Sequence, residues 1–235
     1  KMASKVIAID GTAYSGKSHI ARGLSKITKY EYINTGHMYR ALARIALESK
    51  IDLNDEKAVS GITLSIRFEK GKTIVSEQNW TDELDDPEIV QAASKVAIFP
   101  KVREYLTQMQ RKYSLRDFII MEGRDIGTTV FPDALCKVYV TASPLVRAKR
   151  LYKTLGRTET PTDEFIRMLL NEKLIPIDQL DANRKISPLI SEEEARKRGY
   201  YVHSSPEHYT VDDDVRDIYE KYVELQLKGG IYGTD

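Results

Sequence analysis

The chain has 235 residues, 36 Lys and Arg against 35 Asp and Glu, and 41% hydrophobic residues. That balance argues against a broad electrostatic footprint for nucleic acid, which shows as a strongly basic domain, and no apolar run approaches the roughly 20 residues of a membrane span. The single cysteine, Cys136, excludes an internal disulfide and a cysteine-built zinc site. Length suits one core with at most an inserted subdomain. Cysteine usage and the lack of a visible signal sequence predict a reducing, cytoplasmic setting. Lys1 ahead of Met2 reads as a remnant or an unusual start, so the pattern is followed from Lys5 onward.

Residues 6–9 (VIAI) are a β-branched run ended by Asp10-Gly11, which predicts a buried strand entering a turn. From Gly16 the period changes: Ile20, Leu24 and Ile27 recur at helical spacing to about residue 29. A second helix is predicted over 36–49, with Met38, Leu42, Ile45 and Ala46 inward, so that two helices follow the first strand. Between 62 and 80, Ile62, Leu64, Ile66 and Phe68 alternate with polar residues, Glu69-Lys70-Gly71-Lys72 turns, and Thr73-Ile74-Val75 continues, the signature of a hairpin. Pro87 and Pro100 each open a helical pattern, to about 97 and 114, where a missing N–H costs nothing. Residues 118–121 and 137–140 read as buried strands and 144–155 as a helix. The alternation predicts an α/β fold, a parallel sheet with helices on both faces. A polar stretch at 154–161 begins a mobile flap, followed by a helix over 162–173, a last strand over 200–203, and an amphipathic helix over 211–227 with Val215, Ile218, Tyr222 and Leu225 inward.

Gly11-Thr12-Ala13-Tyr14-Ser15-Gly16-Lys17-Ser18 matches G-x-x-x-x-G-K-[ST] between a predicted strand and a predicted helix, the context that confirms the motif. Successive N–H groups and the helix N-terminus would surround the phosphates of a nucleoside triphosphate, with His19 closing the set. Lys17 would span the phosphates as a point charge, and the Ser18 hydroxyl would reach Mg²⁺. No N-K-x-D guanine-reading motif and no Ser-His-Asp set is present. His19, His37, His203 and His208 show no ligand spacing and read as surface or internally satisfied side chains. Transfer to an acceptor phosphate needs no strong base, because that acceptor is already anionic; positioning and positive charge suffice. Arginines are therefore the residues to find. Arg40 sits one turn into the second helix, and Arg124-Asp125 lies on a glycine-bounded loop after a core strand, the edge where open α/β sheets bind ligands.

These segments together resemble the bacterial cytidylate kinases, of the nucleoside-monophosphate kinase family. The resemblance runs through AIDGTAYSGKS (8–18), NTGHMYRAL (34–42), TDELDDPEIVQAASKVA (81–97), PKVREY (100–105), EGRDIGTTVFPDA (122–134) and DANRKISPL (181–189). It implies a P-loop NTPase-type parallel sheet flanked by helices, with a core of 5–60 and 98–228, an antiparallel monophosphate-binding insert at 61–97 and a helical lid at 154–183. It also implies ATP-dependent phosphorylation of CMP, with dCMP as a second acceptor, Mg²⁺ accompanying ATP, and a monomer without nucleic-acid or membrane partners. Carried over by motif, Arg40, Arg124 and Arg184 would hold the acceptor phosphate, and Lys17, Arg124 and Arg184 would surround the transferring group. Ser94, Arg103 and Asp125 would read the base, Asp181 would hold the sugar, Thr35 would join the CMP site, and Arg150 and Arg157 would serve the lid. Base chemistry agrees: Asp125 can accept from cytosine N4 and Arg103 can donate to N3 and O2, whereas uracil would set an oxygen against Asp125.

The sequence also departs from that family. Ile177 and Leu180 stand where lid arginines are usual, and no Arg lies between Arg167 and Arg184. Arg147 and Arg150 are kept in the preceding helix, Leu151 replaces another, and Arg157, Arg167 and Lys173 are candidates to supply the lost charge. Tyr14 and His19 replace smaller P-loop residues, Asp85 and Asp86 replace a basic turn, and 191–208 reads as a charged surface excursion. Two alternatives stay open: a kinase-like nucleotide-binding protein with weakened catalysis, and a P-loop kinase for another small acceptor.

Overall fold

The computed structural model describes residues 4–116 and 118–232. The chain runs β1 (Ser4–Gly11), α1 (Lys17–Thr28), β2 (Glu31–Asn34), α2 (Thr35–Glu48), α3 (Glu56–Ser60), β3 (Ile66–Glu69), β4 (Lys72–Val75) and β5 (Gln78–Asn79). It continues through α4 (Pro87–Val96), α5 (Pro100–Lys112), β6 (Ile119–Gly123), β7 (Ala134–Thr141), α6 (Pro144–Thr154), α7 (Asp163–Leu169) and α8 (Ile175–Ala182). The last elements are α9 (Glu192–Lys197), β8 (Tyr201–Ser204), α10 (Val211–Ile218) and α11 (Glu224–Tyr232).

Five strands form a parallel sheet in the order β2-β6-β1-β7-β8, with β1 in the centre. Both faces of β1 are buried at period two. Val6 and Ala8 pack with Met38, Leu42, Val102 and Leu106 on one side. Ile7 and Ile9 pack with Ile20, Leu24, Val215 and Ile218 on the other. Each such large side chain contributes about 1.5–3 kcal/mol by leaving water. Among the described residues no helix is long and apolar enough to cross a membrane.

A strand, β2, lies between α1 and α2, where the sequence predicts only two helices. Its four residues, EYIN, hold just Tyr32 and Ile33 as apolar signal, and its place is set by pairing with β6. The hairpin is three-stranded, and it starts at Ile66 rather than Ile62. Leu64 is drawn out of the ladder because its N–H donates to Tyr105 Oη on α5 at 3.0 Å. Lys70 (φ 50°) and Gly71 (φ 76°) make the first turn with positive φ at both central residues, the geometry that matches strand twist.

Three predicted inward or strand positions differ. Ile27 is 45% exposed, because the buried stripe of α1 runs through Ile20, Ala21 and Leu24. Phe118 is a left-handed corner (φ 63°) before β6 rather than its first residue. Leu225 is 60% exposed. A π-turn at Tyr219–Val223 joins α10 to α11 and adds a residue to one turn, rotating the apolar face so that Val223 is buried instead. A second π-turn, Leu170–Leu174, lets α7 run on into α8 past Pro176, whose ring and missing N–H would break a regular helix there. The segment 191–208 is not wholly a surface excursion: Tyr200 and His203 are buried, and β8 closes the sheet.

Candidate active site

β1 ends at Gly11, where φ is +150° and a Cβ would lie 1.9 Å from the Val140 carbonyl oxygen, so only glycine fits. Gly16 (φ 92°) caps α1 without any side-chain bond, which leaves the first-turn N–H groups for an anion. Between them the Ser15 hydroxyl donates to the Thr12 carbonyl at 2.8 Å and Lys17 Nζ donates to the same oxygen at 2.6 Å. Burial, reinforced by Arg124, lowers the Lys17 pKa well below that of an ordinary lysine. Two arginines of α6 hold the loop from behind: Arg147 Nε donates to Ala13 O at 2.8 Å, and Arg150 donates to Ser15 O at 2.7 Å and Ser205 Oγ at 2.8 Å. Arg150 thus serves the loop rather than the 154–183 segment.

One residue before Gly11, the fully buried Asp10 accepts from the N–H groups of Ile126 and Gly127, each at 2.8 Å, and from Tyr200 Oη at 2.8 Å. Burial pushes its pKa up to about 6 against these bonds. Asp10 thereby fixes the loop that carries Arg124 and Asp125 off the end of β6. On the other side Asn34 caps α2 by accepting from His37 N at 3.1 Å, and Thr35 Oγ1 donates to Glu122 O at 2.6 Å. These bonds lock the start of α2 to the edge of β6 and turn Arg40 toward the cleft.

The end of the cleft across from the phosphate loop is a set of paired charges. Arg103 Nη2 donates to Asp125 Oδ2 at 2.6 Å, and both side chains are 5% exposed. Arg103 Nη1 is held by Ala97 O at 3.0 Å, and its Nε is buried without a partner. Asp181 accepts from Arg124 Nε and Arg184 Nη1, each at 2.8 Å. Burial works against its charge, yet Arg124 and Arg184 hold its carboxyl below the usual range. Arg40 Nη1 meets Asp85 Oδ1 at 2.7 Å, and His37 Nε2 reaches the same oxygen at 3.1 Å. The Ser94 hydroxyl donates to Val90 O at 3.3 Å.

A cleft of about 480 Å³ runs between the two ends, lined by residues 13–19 and by Thr35, Arg40, Ser94, Arg103, Arg124, Asp125, Arg150, Asp181 and Arg184. Gly11 and Thr12 shape the loop beneath it. Arg157 is not brought in: it lies near Glu159, 3.7 Å away, with its guanidinium over the Phe165 ring. Tyr209 and Asp214 line the cleft without a sequence signal, and Asp85, which the sequence marks only as replacing a basic turn, lines it as well. Glu122 had one, its position as the penultimate residue of a core strand at the ligand-binding edge. Its Oε1 accepts from Ser18 Oγ at 3.5 Å and its Oε2 is buried without a partner. A hard cation held mainly by phosphates and water fits this oxygen pair. Beyond the loop, Ile177, 2% exposed, packs with Ala13 and Val90, and Arg147 grips Asp178 through two bonds of 2.9 and 2.6 Å.

A glycine-rich phosphate loop on the central strand of a parallel sheet, facing arginines and carboxylates across one cleft, defines a P-loop phosphotransferase. Residues 7–219 match the family model for cytidylate kinase. The cytidylate kinase of Clostridium acetobutylicum is 41% identical over 187 residues, 78% of this chain and 84% of the relative. That of Carboxydothermus hydrogenoformans is 37% identical over 197 residues, 80% of this chain and 86% of the relative. The solved structure of TT1252 from Thermus thermophilus covers 94% of this chain and 97% of its own, with a TM-score of 0.45 and 20% identity. The chain belongs to the cytidylate kinase family.

Proposed function

We propose that this protein transfers the γ-phosphoryl group of ATP to the phosphate of CMP or dCMP, releasing ADP and CDP or dCDP. Family membership supports the reaction class, and the observation that carries the acceptor is the buried Arg103–Asp125 pair at the far end of the cleft. It offers an acceptor for the cytosine amino group beside donors for N3 and O2, including the unpartnered Arg103 Nε.

In this reading residues 61–97 cover the acceptor and residues 154–183 form the lid. The ATP phosphates lie on the loop, with Lys17 moving from the Thr12 carbonyl to the β- and γ-phosphates. Arg40, Arg124 and Arg184 hold the CMP phosphate, Ser94 assists the base pair of side chains, and Asp181 holds the sugar. A CMP phosphate oxygen forms the new bond to phosphorus while the bond to the β-phosphate oxygen breaks. No protein base is required, since the acceptor is an anion at neutral pH. Ser18 and Glu122 would hold Mg²⁺ with the phosphates, and the ion supplies neutralisation of phosphate charge when bound. Ile177 and its neighbours exclude water from the seam, which limits ATP hydrolysis. The proposal extends to a cytoplasmic monomer acting on small molecules, as the resemblance implies.

The test is ADP release with ATP·Mg²⁺ and CMP, dCMP, UMP or AMP. Fast turnover is expected on CMP and dCMP, with kcat/KM for UMP lower by about 5- to 150-fold, the worth of one mismatched base edge. Equal kcat/KM for CMP and UMP would overturn the role of Asp125. Absence of CMP turnover would overturn the activity.

A further inference from the structure

Tyr14 occupies the fourth position of the phosphate loop and holds φ at 56°, a conformation that a bulky side chain rarely adopts. Its ring is wedged between three parts of the molecule, against Ala13 of the loop, Val90 of α4 and Ile177 of α8, and it also borders the apolar cluster of α6 and α7. Packing accounts for the ring. It does not account for the hydroxyl, whose oxygen is buried and has no hydrogen-bond partner. An orphaned buried hydroxyl costs free energy, and phenylalanine would fill the same space without it.

Tyr14 lines the same cleft as Arg40, Arg124 and Arg184, the side chains assigned above to the acceptor phosphate. The lid offers no cation there. α8, IPIDQLDA, contains neither Lys nor Arg, Ile177 fills the seam, and Lys173 Nζ is turned to Gln91 Oε1 at 3.3 Å.

We propose that the Tyr14 hydroxyl is a catalytic hydrogen-bond donor to a phosphate oxygen on the acceptor side of the transferring phosphoryl group, an inference that rests on the kinase reading. Arg40 and Arg124 supply charge at that place, and Tyr14 supplies a directed bond between the donor and acceptor phosphates. Burial pushes the phenol up to about 12, so it keeps its proton at any working pH. The strained backbone at Tyr14 is then part of the device, since it aims the side chain across the loop rather than away from it.

Tyr14→Phe tests the inference, because it deletes one oxygen and keeps the ring. A hydrogen bond to a charged group predicts a fall of about 10- to 150-fold in kcat/KM for the acceptor. KM for ATP should be unchanged, and the Tm of the ligand-free variant equal or higher, since an unpaired buried group has gone. A kcat/KM within twofold of the parent overturns the inference, as does a loss of activity accompanied by a lower ligand-free Tm, which would mark a structural role. The comparison uses the fastest acceptor among CMP, dCMP, UMP and AMP. Turnover on a monophosphate other than CMP therefore sinks the acceptor assignment while still testing Tyr14. If the parent turns over none of them, calorimetry of CMP binding in the presence of ATP·Mg²⁺ decides: weaker binding by the variant supports the inference, and equal binding, or none, overturns it.

Discussion

At the donor end of the cleft, consecutive residues from Gly11 to Ser18 present backbone N–H groups and one ammonium, all within a single strand–turn–helix. At the acceptor end, Arg40, Arg103, Arg124, Asp125, Asp181 and Arg184 come from α2, α5, the loop after β6, and the end of α8, and each arginine already holds a carboxylate. The donor end is preorganised by its backbone and carries an unneutralised charge, so a phosphate adds interactions there. The far end is preorganised by its own counter-ions, so the acceptor phosphate proposed to bind there would exchange one partner for another, with a net gain smaller than the contacts suggest.

Lys17→Ala breaks the comparison at its strongest point. Loss of the one ammonium on the phosphates should lower kcat by a factor on the order of 10³. The ligand-free Tm should not fall, because a desolvated ammonium bonded to a backbone carbonyl is itself unfavourable. Steady-state kinetics beside thermal denaturation checks both halves, and normal turnover would remove Lys17 from the chemistry.

Asp181→Ala should do the reverse and affect the fold. It leaves Arg124 and Arg184 without their shared partner, a loss of about 3 kcal/mol for a broken buried pair. Because the folded-state pKa of Asp181 lies below its unfolded value, near 3.9, this stability is fully present above that value and is lost as pH falls through the lower, folded one. Denaturant titrations of parent and variant should differ by a constant amount at neutral pH and converge in acid below about pH 4. A gap that persists in acid would show that the side chain acts by packing.

Asp85→Asn probes the exchange with the smallest effect. Its carboxylate, 51% exposed, pairs with Arg40. Removing the charge should lower KM for CMP, by no more than about fivefold given the solvent screening of a half-exposed pair. An increase in KM would mean that Asp85 holds Arg40 in place rather than competing for it.

The same contrast governs what could be read from the amino-acid order. The phosphate loop was fully legible, because its function lies in one contiguous run whose glycines answer to local geometry. The strands β1, β6 and β7 were legible from their apolar runs, and the two prolines marked α4 and α5. What escaped depends on distant partners. β2 has almost no periodic signal and exists through β6, while periodicity points Leu225 inward and one extra residue in a helical turn, invisible in that pattern, rotates it out. Across the cleft Arg40, Arg124 and Asp125 stand out by position and Arg103, Asp181 and Arg184 only through the family resemblance; all six line the cleft, but the pairing of Arg40 with Asp85, like the anchor from Asp10 to the Arg124 loop, follows only from three-dimensional closure.

Arg147 spends one end of its guanidinium on the Ala13 carbonyl and the other on Asp178. A single rigid group therefore ties the phosphate loop to α8, part of the segment proposed above as the lid. Coupling through such a strut is reciprocal: whatever factor a bound triphosphate adds to the affinity for the monophosphate, the monophosphate must return to the triphosphate. Order of addition would then alter the path to the ternary complex and leave its free energy untouched.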